Sequence, residues 1–333
     1  MDSIETLDSP PRDVITKVLF GNKTNLLAVA AWDQTVKFYD PTLHRKKQFL
    51  HNLELESPVM DFVFFEDDRK MALGCLDNRV SILDVETKNL FTVGRHNGPV
   101  RCIRYHEPTN TLITGGWDKR VKVFDMRSSN LKPVVDVEIF GKTYCMDLVK
   151  DNLVVGDSMK RVYVYDLSNG FSGFSNPKTK DGILKFQYRC LKCFPDATGY
   201  VLSSIEGRVA WEYFPKYATS ESQQYAFKCH RNKTGDSDVA FPVNCIDFHP
   251  NFGTFVTGGA DGLICGWDGL ARKRLWKSSK FKGTVASVSF NHLGNRLAIG
   301  ISDVFQLNPH QAQSPSLHVK NLKEEFKPRS KGT

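Results

Sequence analysis

Asp118-Lys-Arg-Val-Lys-Val-Phe-Asp125 decides how the chain is read, because its form recurs along the sequence. It has an acidic or turn residue, two variable residues, then an alternating apolar run that usually closes on Asp. Asp33-Gln-Thr-Val-Lys-Phe-Tyr-Asp40 and Asp77-Asn-Arg-Val-Ser-Ile-Leu-Asp84 precede it. Met159-Lys-Arg-Val-Tyr-Val-Tyr-Asp166, Glu206-Gly-Arg-Val-Ala-Trp-Glu-Tyr213 and Asp261-Gly-Leu-Ile-Cys-Gly-Trp-Asp268 follow. The closing positions 40, 84, 125, 166, 213 and 268 are 44, 41, 41, 47 and 55 residues apart. A period a little above 40 residues with several short strands per unit is the signature of propeller blades.

The flanks of each repeat agree. Before each run lies a strand with small residues, as in Leu26–Ala31, Thr111–Gly116 and Thr254–Gly259, which lets blades pack closely around a narrow centre. Tight turns such as Trp117-Asp-Lys, Leu76-Asp-Asn and Ile205-Glu-Gly join the two strands, with Asp, Asn and Gly suited to left-handed hairpin geometry. Further upstream are alternating strands such as Val100–Tyr105 and Val243–Phe248. A degenerate seventh unit runs through Thr284–Phe290, Arg296–Gly300 and Ser316–Val319. A sheet edge left open invites aggregation, so Ile4–Leu7 is expected to supply its outer strand and close the ring. The sequence therefore predicts an all-β, seven-bladed WD-repeat β-propeller closed by an N-terminal strand in the last blade. It spans residues 1–322, with a basic C-terminal tail over 323–333. Ser168–Asp181 reads as a loop. Phe214–Ser222 and Asn232–Asp238 read as insertions flanking the outer strand of blade five.

Composition narrows the function. Hydrophobic residues make up 41% of the 333 and charged residues 25%, as in ordinary globular proteins. No apolar run is long enough to span a membrane, and Met1–Val14 lacks the form of a secretory signal, which places the protein inside the cell. The net charge of +8 is scattered, with its clearest cluster at Lys327–Lys331, so direct nucleic-acid binding is not expected. A basic surface for acidic or phosphorylated partners is. The eight cysteines read as buried hydrophobes. Cys190-Leu-Lys-Cys193 puts its thiols on opposite faces of a strand, so neither a metal nor a cofactor is expected.

No phosphate-binding Gly-rich loop, His-Glu-x-x-His or Gly-x-Ser-x-Gly stands in the chain, so it reads as a non-enzyme. His96 reads as a structural hydrogen-bonding residue, and Asp33, Asp77, Asp118 and Asp261 as turn formers. Function is then expected on the rim that carries the tight turns. Trp32 and Trp117 occupy the same turn position in blades one and three, and indoles are favoured interface anchors. Arg189, Arg208 and Lys228 fall near the same rim of blade five and suit carboxylate or phosphate recognition.

Four stretches are more specific: Lys185–Cys190, Gly199–Ala210 with its Ser-Ile-Glu-Gly-Arg, Tyr225–Arg231 with its Phe-Lys-Cys-His-Arg, and Phe241–Asn244. Together they resemble the WD-repeat member of the budding-uninhibited-by-benzimidazole checkpoint family and its paralogue, the nuclear messenger-RNA export factor. The checkpoint form is favoured by the short segment before the first blade and by Tyr225-Ala-Phe-Lys. Gly300-Ile-Ser-Asp-Val-Phe and Trp211 depart from the family pattern. The resemblance implies that Arg189 and Arg208 meet two glutamates of a GLEBS segment of a checkpoint kinase or pseudokinase, with Trp32 and Trp117 as aromatic contacts. It implies that Arg208 and Lys228 read phosphothreonine in Met-Glu-Leu-Thr repeats of a phosphorylated kinetochore scaffold. An anaphase-inhibitor complex is a further implied partner, and nucleus, with kinetochore in mitosis, the implied location. Two alternatives stand beside it: an export adaptor binding a nucleoporin GLEBS segment, and a cullin-ligase substrate receptor suggested by Phe124-Asp-Met-Arg127.

Overall fold

The computed structural model describes residues 4–128, 132–218, 224–234, 237–303 and 314–328. Seven four-stranded antiparallel sheets follow one another along the chain. Their innermost strands are Ile15–Phe20, Val59–Phe65, Val100–His106, Thr143–Val149, Tyr188–Cys193, Val243–Phe248 and Thr284–Phe290. Each packs against the next, and the last packs against the first, which closes the ring. Ile4–Leu7 is the outer strand of blade seven, paired antiparallel with Ser316–Asn321 from Ile4 opposite Lys320 to Leu7 opposite Leu317. The ends of the chain are joined as the sequence predicts.

The hairpin turns explain the recurring aspartates. Oδ1 of Asp33, Asp77, Asp118 and Asp261 accepts the backbone N–H two residues on, at 3.1–3.2 Å. This is the Asx turn that favours the residue. The residue after the turn position has a positive φ in six blades: Gln34, Asn78, Lys119, Lys160, Gly207 and Gly262, between 64° and 76°. Lys and Gln hold that conformation as well as Asn and Gly, so the turn imposes the geometry and not the residue type alone. At Gly207 the choice is forced, since an added Cβ would lie 2.6 Å from the Cys229 carbonyl oxygen.

The core lies between blades. Trp211, which departs from the family pattern, is buried with its ring stacked 4.0 Å from Phe194 and beside Tyr225, Phe248 and Phe255. Gly269 makes room for it. Cys193 packs between blades four and five and Cys190 between blades five and six, on opposite faces of their strand. Packing continues beyond residue 322: Phe326 is buried against Trp276 and Phe290, and its carbonyl accepts the Thr254 hydroxyl at 2.7 Å.

Two stretches differ from their reading. Ser168–Asp181 is not one loop: it holds a 3₁₀ turn over Gly170–Ser175, anchored by buried Phe174, and Lys178–Asp181 is the outer strand of blade four. Polar composition hid an edge strand that has solvent on one side. The insertion around Asn232–Asp238 is a β-hairpin, Arg231–Thr234 paired with Ser237–Ala240, standing between blades five and six. Residues 219–222 of the other insertion, 304–305 of the divergent blade-seven stretch, and 329–333 of the tail lie outside the described residues.

Candidate partner-binding rim

Strand direction alternates in each blade. The start of the innermost strand, the end of the second, the start of the third and the end of the outer strand therefore share one face. Trp32 and Trp117 follow second strands, Arg189 is second in its innermost strand, Arg208 opens a third strand and Lys228 ends an outer one. All five stand on this face.

They are not gathered at one point. Arg208 and Lys228 are directly opposite each other across the third and outer strands of blade five. Such pairs have Cβ atoms about 5 Å apart, and like charges there repel. Acid groups offset this only in part. Glu206 Oε2 lies 3.5 Å from Arg208 Nε, and Asp238, from the hairpin, lies 3.9 Å from Lys228 Nζ. Both cations remain accessible, Lys228 more than half exposed. Arg189 turns the other way, toward blade six, where its Nη2 donates to Asn244 Oδ1 at 2.9 Å. Burial lowers its pKa first, and the nearby Arg101 charge adds to that. Trp32 and Trp117 are on blades one and three, away from the cations of blade five. Trp32 is 39% exposed. Trp117 is half-buried, with the Lys142 ammonium 5.8 Å from its ring centre and its own buried Nε1 without a hydrogen-bond acceptor.

Arg231 does not stand out in the sequence, although it closes the Phe-Lys-Cys-His-Arg motif. Its Nη1 pairs with Asp238 at 2.8 Å and its Nη2 donates to the Glu206 carbonyl at 2.9 Å, so it pins the hairpin to the blade-five turn beside Arg208 and Lys228. The motif is the available signal. That Arg231 joins this cluster depends on the hairpin, which the sequence presents as an insertion.

Histidines hold the same rim in other blades. His96 Nδ1 meets Asp118 Oδ1 at 2.9 Å and its Nε2 meets Thr114 Oγ1 at 2.7 Å. His230 repeats this with Asp261 at 2.8 Å and Thr257 at 2.7 Å, and the Trp267 indole donates to Thr257 at 2.9 Å. His96 is thus structural, as its sequence context predicts. No group of three or more His, Cys, Asp or Glu among the described residues could hold a metal ion.

A family model described as WD domain, G-beta repeat matches residues 87–125 and 223–268, the two stretches that contain these histidine networks. The mitotic checkpoint protein BUB3.1 of Arabidopsis thaliana is 36% identical over 331 residues, covering 98% of this chain and 95% of its own. The mitotic checkpoint protein bub3 of Dictyostelium discoideum is 36% identical, covering 97% and 96%. The mRNA export factor GLE2 of Chaetomium thermophilum is 34% identical, covering 89% and 83%. A solved structure of U3-55K superposes with a TM-score of 0.81 over 96% of this chain and 98% of its own at 16% identity, which speaks for the fold alone. With a closed seven-bladed ring, two complete histidine networks and full-length relatives above 30% identity, the chain belongs to the WD-repeat family of BUB3 mitotic checkpoint proteins, to which the mRNA export factors are closely related.

Proposed function

We propose that the protein is a non-catalytic adaptor of the mitotic checkpoint. Its turn-bearing rim binds a GLEBS segment of a checkpoint kinase or pseudokinase and a phosphothreonine in Met-Glu-Leu-Thr repeats of a kinetochore scaffold, and so brings the kinase to unattached kinetochores. One observation carries this reading: Arg208 and Lys228 oppose each other at the open end of blade five, only partly neutralised by Glu206 and Asp238. Two like charges held face to face are a cost to the free protein. A phosphoryl group, with nearly two negative charges and three acceptor oxygens, turns that cost into attraction. Arg189, and the tryptophans on blades one and three, supply separate contacts along the rim for a longer segment.

The test is calorimetric titration of a GLEBS peptide and of a Met-Glu-Leu-Thr peptide with and without phosphate on the threonine. Binding of the phosphorylated peptide alone among the last two, lost in Arg208→Glu and Lys228→Glu, is expected. A second reading draws on the export-factor relatives: an adaptor that binds a nucleoporin GLEBS segment at the same rim. Binding of GLEBS with no response to either Met-Glu-Leu-Thr peptide would favour it.

A further inference from the structure

Three serines of the chain are followed by proline: Ser9, Ser57 and Ser314. A Ser–Pro step has no N–H after the serine and favours extended chain at the serine itself, which is the form that proline-directed protein kinases accept. The fold separates the three. Ser57 is buried, and its Oγ accepts the Asp77 N–H at 3.1 Å. Ser9 is exposed but held. Its φ is 57°, its carbonyl accepts the Lys37 ammonium at 3.0 Å and the Tyr39 hydroxyl at 2.7 Å, and Pro11 close behind it is buried. Ser314 is exposed, and among the described residues its hydroxyl has no hydrogen-bond partner.

Ser314 stands just before the third strand of blade seven, and it lines a cavity of about 370 Å³ together with Lys280, Lys282, Ser302, Ser316 and His318. The two lysines belong to the link between the outer strand of blade six, Lys273–Lys277, and the innermost strand of blade seven. Both are exposed, and among the described residues neither ammonium makes an ion pair. Phe281, between them, is half-buried with its ring 5.3 Å from that of His318, which seats the link on the blade. His318 adds no charge near neutral pH. Burial lowers its pKa, and its ring nitrogens meet the Thr6 hydroxyl at 3.0 Å and the Ser316 hydroxyl at 2.9 Å. Among the described residues no carboxylate lines the cavity. One exposed Ser–Pro serine therefore shares a cavity with two cations that have no acid.

We propose that Ser314 is a phosphorylation site for a proline-directed kinase, and that Lys280 and Lys282 hold its phosphate within the same chain. In the transfer Ser314 Oγ attacks the γ-phosphorus of ATP held by that kinase. The Oγ–P bond forms as the bond to ADP breaks, and the hydroxyl proton passes to the base of the kinase. Phosphoserine brings nearly two negative charges and three acceptor oxygens, and the two ammonium groups supply charge-assisted donors. The mark cancels the positive charge of the cavity and ties the start of the third strand to the link from blade six. Ser302, in the same cavity, accepts the Ile15 N–H at 3.1 Å, so the tie sits at the seam where blade seven meets blade one. The site is separate from the cations of blade five and does not depend on which partner they bind.

The test has two steps on the full chain. The protein is first treated with a cyclin-dependent kinase and ATP, and the phosphate is located by peptide mass mapping. Ser314 should carry it, Ser9 and Ser57 should stay unmodified, and Ser314→Ala should take up none. Phosphate on Ser9 in preference to Ser314, or none on Ser314, overturns the site. The phosphorylated protein is then titrated with pH and followed by phosphorus-31 nuclear magnetic resonance. The second ionisation of phosphoserine, ordinarily near about 6, should fall to about 5.5 or below in the wild type. It should return to about 6 when Lys280→Gln and Lys282→Gln are combined, and stay low when Lys280→Arg and Lys282→Arg are. The same value in the wild type and the double Gln variant overturns the role of the lysines. If the double variant does not fold, Lys280→Gln and Lys282→Gln are tested singly, and each should move the value part of the way back.

Discussion

In blade six the turn residue Asp261 is held from behind: His230 meets its carboxylate, Thr257 meets the other ring nitrogen, and Trp267 donates to the same threonine. In blade five the equivalent turn residue is Glu206, and four residues before it, where blade six has Thr257, stands Leu202 with no hydroxyl. Glu206 is left to a 3.5 Å contact with Arg208, and the neighbouring cations Arg208 and Lys228 face solvent. Blade six spends its polar groups on each other, whereas blade five leaves charge over. A WD repeat can satisfy its turn internally or keep it for a partner, and adjacent blades of this ring do one each.

The comparison can be broken at several points. The largest effect is expected where charges are fully matched. Removing the Asp61 carboxylate leaves Lys17 buried without its acid and Arg104 with Asp147 alone, and Asp61→Asn should cost about 3–5 kcal/mol near neutral pH. Burial raises the Asp61 pKa, but the charges of Lys17 and Arg104 overcome it and hold the carboxyl well below its ordinary value. A depressed carboxylate stabilises fully above the ordinary range near about 4 and loses that stabilisation as pH falls toward its lowered value. The gap between wild type and Asp61→Asn in urea midpoints should therefore be widest at pH 7 and narrow below about pH 4. A gap independent of pH would mean that the carboxylate charge is not what stabilises the channel.

Next is His230→Phe, which leaves Asp261 and Thr257 without their partner and should lower stability by about 3 kcal/mol in denaturant unfolding. A loss under about 1 kcal/mol would show that blade six is no better tied than blade five. In blade five the effect should move from stability to binding. Arg208→Glu is expected to weaken the phosphorylated Met-Glu-Leu-Thr peptide about 100-fold, close to 2.7 kcal/mol, with a stability change within about 0.5 kcal/mol. A large loss of stability there would place Arg208 in the fold and not in the site. The smallest effect is Lys228→Ala. Relief of the like-charge pair should leave stability unchanged or raised by a few tenths of a kcal/mol, read by the same unfolding curves.

Much of this is legible in the residues themselves. The six turn-and-strand repeats define blades because four of the turns carry an aspartate in an Asx turn and each strand needs period-two alternation, both local requirements. Ile4–Leu7 belongs to blade seven because an open ring leaves an edge unpaired. Trp32, Trp117, Arg189, Arg208 and Lys228 all fall on one rim, since strand direction in a four-stranded blade settles which end faces which side. The outer strand Lys178–Asp181 is hidden by its polar composition, because an edge strand buries little and so carries little hydrophobic pattern.

What the sequence alone determined is the ring, its blade boundaries and the face on which its cations stand, because these follow from backbone geometry and local side-chain chemistry. Tertiary structure decided which charges meet. That Arg208 opposes Lys228 is a matter of register, and that Arg231 and Asp238 join them depends on a hairpin folding back between blades. Arg231 reaches the Glu206 carbonyl 25 residues back in the chain, and Arg208 meets Lys228 only once the third and outer strands pair, so no local pattern records them.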